Sequence, residues 1–288
     1  MVMDALGREV RAPRAPRRVV SLVPSETESV CALAGLERLV GRTDFCEEPA
    51  GTIERVPSVG GTKKCDVGRV LALAPDLVLA NKEENGRADV EALIAAGLTV
   101  HVSFPCTVRE SVEYLESLAE LLHVERSHDA IREAREALER AEARALPSVR
   151  ACVPIWREPW MSFDGRTFAS DVLRLAGAEN VFADRPRRFP LAAELDPSRE
   201  ALPAERTAER DTRYPRFGLD ELRARDPEIV LLPDEPYAFG EADVAALLDA
   251  GFARERIALV SGKDLFWYGV RPTGALARVA ARIDALRS

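Results

Sequence analysis

The sequence predicts an α/β fold of two lobes, each built on a mostly parallel sheet and joined by one long helix. Three observations carry that prediction. Short β-rich runs alternate with helical patterns, the signature of βα units. Three stretches of the first half recur in the second half in the same order. Between the halves, the stretch 127–146 contains neither Gly nor Pro.

Taken in order, residues 18–23 form a β-rich run that Pro24 breaks. Ser25-Glu26-Thr27-Glu28 has the form of a capping box, with Ser25 as the cap and Glu28 reaching back. Val30, Leu33 and Ala34 follow at helical spacing until Gly35 stops the helix. The pattern then gives a strand at 39–43, a helix near 67–74, a strand at 77–80, a helix at 87–96 and a strand at 99–103. Within 127–146, Ala130, Ile131, Ala134, Ala137, Leu138, Ala141 and Ala145 form one apolar stripe, and Glu136 precedes Arg140 in the favourable order. At 1.5 Å per residue this predicts a helix of about 30 Å, ended before Pro147.

The repeats place a second lobe of the same topology beyond that helix. Leu33-Ala34-Gly35-Leu36-Glu37 recurs as Leu175-Ala176-Gly177-Ala178-Glu179. The stretch 67–80 recurs as 219–232, with Pro75 matching Pro227, and 92–97 recurs as 246–251. The expected division is a lobe over 1–124, a linking helix over 125–147 and a second lobe over 148–288.

Composition removes several classes of function. A net charge of -8 repels phosphate backbones, so nucleic acid is not an expected partner. No apolar run reaches the roughly 18–20 residues of a membrane span. The N-terminal stretch MVMDALGREVRAPRAPRRVV lacks the apolar core of a secretory leader. Five cysteines without a CxxC pair fit a reducing compartment. The cytoplasm is therefore the expected location, with a periplasmic or lipid-anchored protein as the alternative if a leader has been removed.

Ligands of open parallel sheets bind beyond the carboxyl ends of the strands, and in duplicated lobes those ends can face one another across a cleft. The loops that follow strands are thus the candidate site. They hold Ser25, Phe45, Cys46, Thr62, Lys63 and Lys82 in the first lobe. In the second they hold Trp156, Arg157, Trp160, Tyr237, Trp267, Tyr268 and, just beyond, Arg271. All three tryptophans lie there, which suits a flat, bulky ligand. The four lysines, Lys63, Lys64, Lys82 and Lys263, also fall in loops and offer compact ammonium groups. Cys46, Cys65 and Cys106 share these loops and are candidate ligands for a soft metal, although their spacing matches no metal motif. Cys31 and Cys152 fall in apolar patterns, and His101, His123 and His128 read as structural.

The runs RRVVSLVPSETE, GRTDFCEEPA, GGTKKCDVGRVLALAPDLVLANKEEN, WREPWM, RYPRFGLDELRARDPEIVLLPDEPY and WYG resemble the helical-backbone substrate-binding proteins. That family includes the cobalamin- and siderophore-binding components of ABC importers. The resemblance runs from about residue 4 to the C-terminus. It implies two Rossmann-like lobes bridged by a backbone helix, a ligand held between them and modest hinge motion. It further implies that Phe45 takes the place of an aromatic facing cobalamin, with Trp160, Tyr237 and Trp267 as contacts from the facing lobe. Asp220 matches one of the two acidic positions that dock on permease arginines, while Gly68 stands at the other. The chain is most similar to a leaderless branch in which a His often stands where this sequence has Glu48.

The function expected on these grounds is non-enzymatic binding of a small-molecule metal chelate, cobalamin or another corrinoid first, with no cofactor required. Siderophore, heme or a metal ion are the alternative ligands. An ABC permease is a candidate protein partner, with Gly68 in place of a carboxylate counting against the docking. An enzyme would have to draw on Glu83, Glu84, Asp234 and Glu235 for acid–base work, without a G-x-S-x-G elbow, a complete Walker sequence or H-E-x-x-H. A ligand sensor or scaffold is the third alternative.

Overall fold

The structure, a computed structural model, describes residues 1–12, 14–144, 147–196 and 198–287. The chain divides into two compact units, Met1–Leu138 with Trp267–Thr273, and Glu139–Phe266 with Gly274–Ser288.

Unit 1 is built on four parallel strands, β1 (Val19–Ser21), β2 (Leu39–Arg42), β3 (Leu77–Asn81) and β4 (Val100–Ser103). Their order across the sheet is β2-β1-β3-β4. Unit 2 repeats this with β5 (Val149–Cys152), β6 (Ala178–Asn180), β7 (Ile229–Pro233) and β8 (Ile257–Val260), in the order β6-β5-β7-β8. The first strand of each unit therefore pairs with the second on one side and the third on the other. Every residue of β3 and of β7 is buried, as in parallel strands covered on both faces. Helices α1 (Pro24–Ala34), α2 (Val67–Ala72), α3 (Arg87–Ala95) and α4 (Val108–Leu122) follow the strands of unit 1.

The internal repeat is a structural repeat. Helix α6 (Phe168–Ala176) ends on Gly177 at φ 91°, as α1 ends on Gly35 at φ 87°. Beyond the short helix α7 (Leu191–Leu195), helix α8 (Leu219–Ala224) leads into β7 as α2 leads into β3, and both turns carry a left-handed residue just before the proline, Ala74 at φ 42° and Asp226 at φ 47°. Helix α9 (Glu241–Asp249) corresponds to α3. Valines and leucines of β1, β3, β4, α2 and α3 form the core of unit 1, and Cys152, Phe182, Phe217, Val230, Leu232 and Leu247 lie in that of unit 2.

Two expected elements differ. Helix α1 starts at Pro24, with Val23 as the N-cap residue, so Ser25 lies inside the first turn and caps nothing. The cause is the proline, whose fixed φ suits the first helical position and whose missing N–H costs nothing there. Glu28 does not reach back either; it pairs with Arg271 at 3.0 Å. The helix expected over 127–146 is α5, Asp129–Glu142, about 21 Å long at 1.5 Å per residue. Ile131, Ala134, Ala137 and Leu138 are its buried stripe. Ala143 is in a turn and Arg144 is outside the helix, while the predicted Ala145 and Leu146 lie outside the described residues. The change of unit falls within α5, between Leu138 and Glu139. The chain returns to unit 1 for Trp267–Thr273, between α10 (Gly262–Phe266) and the body of α11 (Pro272–Leu286).

Among the described residues no helix is long and apolar enough to cross a membrane.

Candidate functional site

In unit 1 the carboxyl ends of β1, β3 and β4 gather a buried polar cluster. Glu26, in the first turn of α1, is fully buried. Its Oε1 accepts hydrogen bonds from Ser103 Oγ at 2.6 Å and Tyr268 OH at 3.0 Å. Asn81 Nδ2 donates to Ser103 Oγ at 3.2 Å and Tyr268 OH at 3.1 Å. Glu26 Oε2 and the Tyr114 hydroxyl are buried without a hydrogen-bond partner. Burial raises the Glu26 carboxyl to about 8, against the opposing hydrogen bonds of Ser103 and Tyr268. The group is thus held neutral at physiological pH, because an ionised carboxylate there would lose its hydration.

The same cluster fixes the returning segment. Tyr268 packs edge-on against Tyr114 with ring centroids 5.3 Å apart. Gly269 N donates to Ser111 Oγ at 2.7 Å and Val270 N to Ser29 Oγ at 3.1 Å. Gly269 has φ 81°, and a Cβ there would collide with Ser29, so the close approach requires glycine. Trp267, only 7% exposed, lies under the Arg271 guanidinium at 5.7 Å. Trp267 and Tyr268, expected in an open loop, are therefore interior residues of unit 1, and Arg271 is committed to Glu28.

The loop after β2 behaves differently. Phe45 is 60% exposed. Cys46 beside it is buried, with its Sγ bonded to Thr27 Oγ1 at 3.0 Å and in reach of Thr43 Oγ1 at 3.2 Å. Lys63 Nζ donates to the Glu83 carbonyl, and Lys82 Nζ sits 5.6 Å from the Phe104 ring centroid. Thr62 presents its carbonyl to Asn85 Nδ2 at 3.0 Å, and Asn85 also reaches Leu22 O at 3.0 Å. Asn85 thereby ties the loop after β3 to Leu22 and Thr62, and its Oδ1 accepts from Asn81 N at 2.7 Å.

The three-cysteine metal site is not formed. Cys65 is buried in the unit 1 core, and Cys106 is half-buried with its Sγ directed to Phe104 O at 3.8 Å. Burial raises the thiol of Cys46, and that of Cys65 to about 11, which disfavours the thiolate at both. Among the described residues no group of three His, Cys, Asp or Glu could hold a metal ion. All five cysteines are free. His101 is buried in β4 and pulled down to about 4 by that burial, with its Nδ1 unpartnered.

In unit 2 the loops after β5 and β7 together carry an aromatic train. Trp156, 47% exposed, meets Tyr237 edge-on at 5.4 Å; Tyr237 meets Phe239 at 4.6 Å, and Phe239 stacks on Trp160 at 5.8 Å. Trp160 lies in a two-stranded antiparallel ladder, Trp160–Met161 against Arg216–Phe217. Arg157 stacks over Trp160 at 5.6 Å while its Nη1 bonds the buried carboxylate of Asp243 at 2.6 Å. The train runs from the core to the surface and ends on the Trp156 ring. Asp220, on α8, has a side chain 92% exposed and an ion pair with Arg223. Of the acids named for catalysis, Glu83 and Glu84 belong to unit 1 and Asp234 and Glu235 to unit 2. Asp234 Oδ1 is taken by Gly262 N at 2.6 Å.

Sequence reasoning passed over Glu26, Asn81 and Ser103 as a set. A Glu in a first helical turn ordinarily reads as a partner for the helix dipole, and nothing local marks it as buried.

A family model described as periplasmic binding protein matches residues 19–231. The vitamin B12-binding protein of Yersinia pestis (strain Pestoides F) is 31% identical over 175 residues, 59% of this chain and 62% of that protein. The matched region is thus less than two thirds of that relative's length. Among solved structures, the periplasmic vitamin B12-binding protein of Vibrio cholerae superposes with a TM-score of 0.72 at 18% identity, covering 96% of this chain and all of that one. The periplasmic heme-binding protein of Roseiflexus sp. RS-1 in apo form does so with a TM-score of 0.71 at 17% identity, covering 94% and 99%. At such identities the two structures speak for the fold. With the family model spanning well over half of its length, the chain belongs to the periplasmic binding protein family.

Proposed function

We propose that this chain binds a metal chelate, with cobalamin or another corrinoid as the first candidate. The reading rests on one observation above the others: Phe45 and Trp156 are large exposed rings, each on a loop that follows a sheet strand. An exposed aromatic face held by buried neighbours is a ready surface for a flat, bulky ligand. The similarity to a B12-binding relative supports a corrinoid in particular. The family is one of binding proteins, and no catalytic step is part of the reading. The chelate is cargo, and no resident cofactor is invoked.

Asp220 is exposed and suited to meet a cationic surface such as a permease arginine, while Gly68 on α2 offers no carboxylate. Docking on an importer would therefore rely on one side more than the other. The family and both solved structures are described as periplasmic, which gives the cytoplasmic expectation no support.

The test is a thermal-shift series with hydroxocobalamin, cobinamide, hemin and divalent metal ions. A ligand that binds only the folded state adds about 2.7 kcal/mol at 100 times its dissociation constant. A shift with the corrinoids is expected. A shift with hemin or a metal ion alone moves the assignment to those ligands, and no shift with any of them contradicts it.

A further inference from the structure

Unit 2 contains a cluster of positive charge that neither the fold nor the proposed cargo explains. It lies on the segment 183–216 that joins β6 to the Arg216–Phe217 strand. Three of the eight arginines of this segment are neutralised by ion pairs. Arg185 pairs with Glu194 at 3.3 Å and Glu221 at 3.0 Å, Arg199 with Asp196 at 3.4 Å, and Arg213 with Asp211 at 2.6 Å.

Arg187, Arg210 and Arg216 are not. Among the described residues, none of their guanidinium groups has an ion pair or a hydrogen bond, and Arg216 Nη1 is buried without a partner. Two of them share one platform: Arg187 Cζ lies 4.4 Å and Arg210 Cζ 4.8 Å from the ring centroid of the buried Phe189. The platform is itself pinned, by Leu202 N to Phe189 O at 2.7 Å and Arg187 N to Thr212 O at 2.7 Å.

The acids that face this cluster are already committed. Glu194 Oε1 accepts from Arg216 N at 2.7 Å and from Arg185, and its Oε2 accepts from Arg188 N. Asp211 is held by the backbone and side chain of Arg213. Burial, then Arg216, hold the Arg187 guanidinium below its usual value, with Arg210 adding to the effect and Glu194 and Asp211 opposing it.

We propose that Arg187 and Arg210, held on the Phe189 ring, together with the neighbouring Arg216, form a binding site for a multiply charged oxyanion, the phosphate or carboxylate groups of a small ligand. A guanidinium stacked on a ring keeps its in-plane N–H donors free, and that fork matches the geometry of carboxylate and phosphate oxygens. An anion there supplies the counter-charge that the protein withholds. The site stands on unit 2 alone and does not depend on the corrinoid reading.

Calorimetric titration of the full chain with pyrophosphate and with citrate, at ionic strength fixed with sodium chloride, tests it. Saturable binding of at least one of the two is expected, and which one binds assigns phosphate or carboxylate. Arg210 is exposed, so R210Q is expected to fold and to weaken binding about tenfold, as removal of one charged hydrogen-bonding group does. R187Q/R210Q is expected to abolish it. No saturable heat with either anion, or a folded R210Q that binds as the parent does, would overturn the site.

Discussion

Glu26 shows how a single side chain ties distant parts of the sequence together. Its Oε1 partners, Ser103 and Tyr268, lie 77 and 242 residues away along the chain. The carboxyl is raised to about 8 in the folded protein from an ordinary value of 4.5. The folded state therefore holds this proton where the unfolded chain has released it, and stability from this group is full below about 4.5 and lost as pH rises toward 8. His101 works in the opposite sense: lowered to about 4 from 6.5, it costs stability as pH falls through that interval. Between about 6.5 and 8 only the Glu26 effect operates of the two. Melting temperatures of the parent and E26Q across that range are expected to diverge, the parent falling and E26Q staying flatter. Parallel slopes would remove Glu26 as the source. None of this was legible locally, because burial of a first-turn Glu is decided by the segment 267–273 and not by its neighbours in sequence. Exposure was equally hidden: among the tryptophans placed in loops, Trp156 is open, Trp160 half-buried and Trp267 buried.

Among the elements, those with chemical punctuation were read well and those without it were not. Gly35 and Gly177 end their helices in backbone conformations that favour glycine, as the pattern indicated. Pro24 misled, because a proline that breaks a strand is also the best first residue of a helix. The stripe of α5 was right in phase, yet an apolar stripe does not report where a helix frays, and the described helix stops at Glu142. Helix α4 carries a capping box, Thr107 accepting from Glu110 N at 3.1 Å and Glu110 Oε2 from Thr107 N at 3.0 Å. Its buried face reaches Ser111, Tyr114 and Leu118, so the cap also positions the Gly269 anchor. Thr107→Ala should cost about 1 kcal/mol, read as a lower urea midpoint at unchanged slope. A loss within a few tenths of a kcal/mol of zero would mean that packing alone fixes the helix.

The whole molecule was the most legible scale. The three repeats of the sequence map onto two four-stranded sheets of identical strand order, and the matching left-handed residues at Ala74 and Asp226 strengthen the correspondence. Periodicity survives in a sequence because every buried strand and helix face must obey it. The passage of Trp267–Thr273 back into unit 1 left no such trace, since it depends on contacts and not on period. Function follows the same division: family membership came through motifs spread along the chain, whereas the proposed ligand rests on a few exposed rings. Quenching of intrinsic tryptophan fluorescence by hydroxocobalamin in the parent, F45A and W156A decides whether the exposed rings hold a corrinoid. Saturable quenching in the parent is expected, with weakened binding in F45A and a smaller quench with weakened binding in W156A. Unchanged affinity in both variants, or no saturable quenching in the parent, would contradict the corrinoid reading.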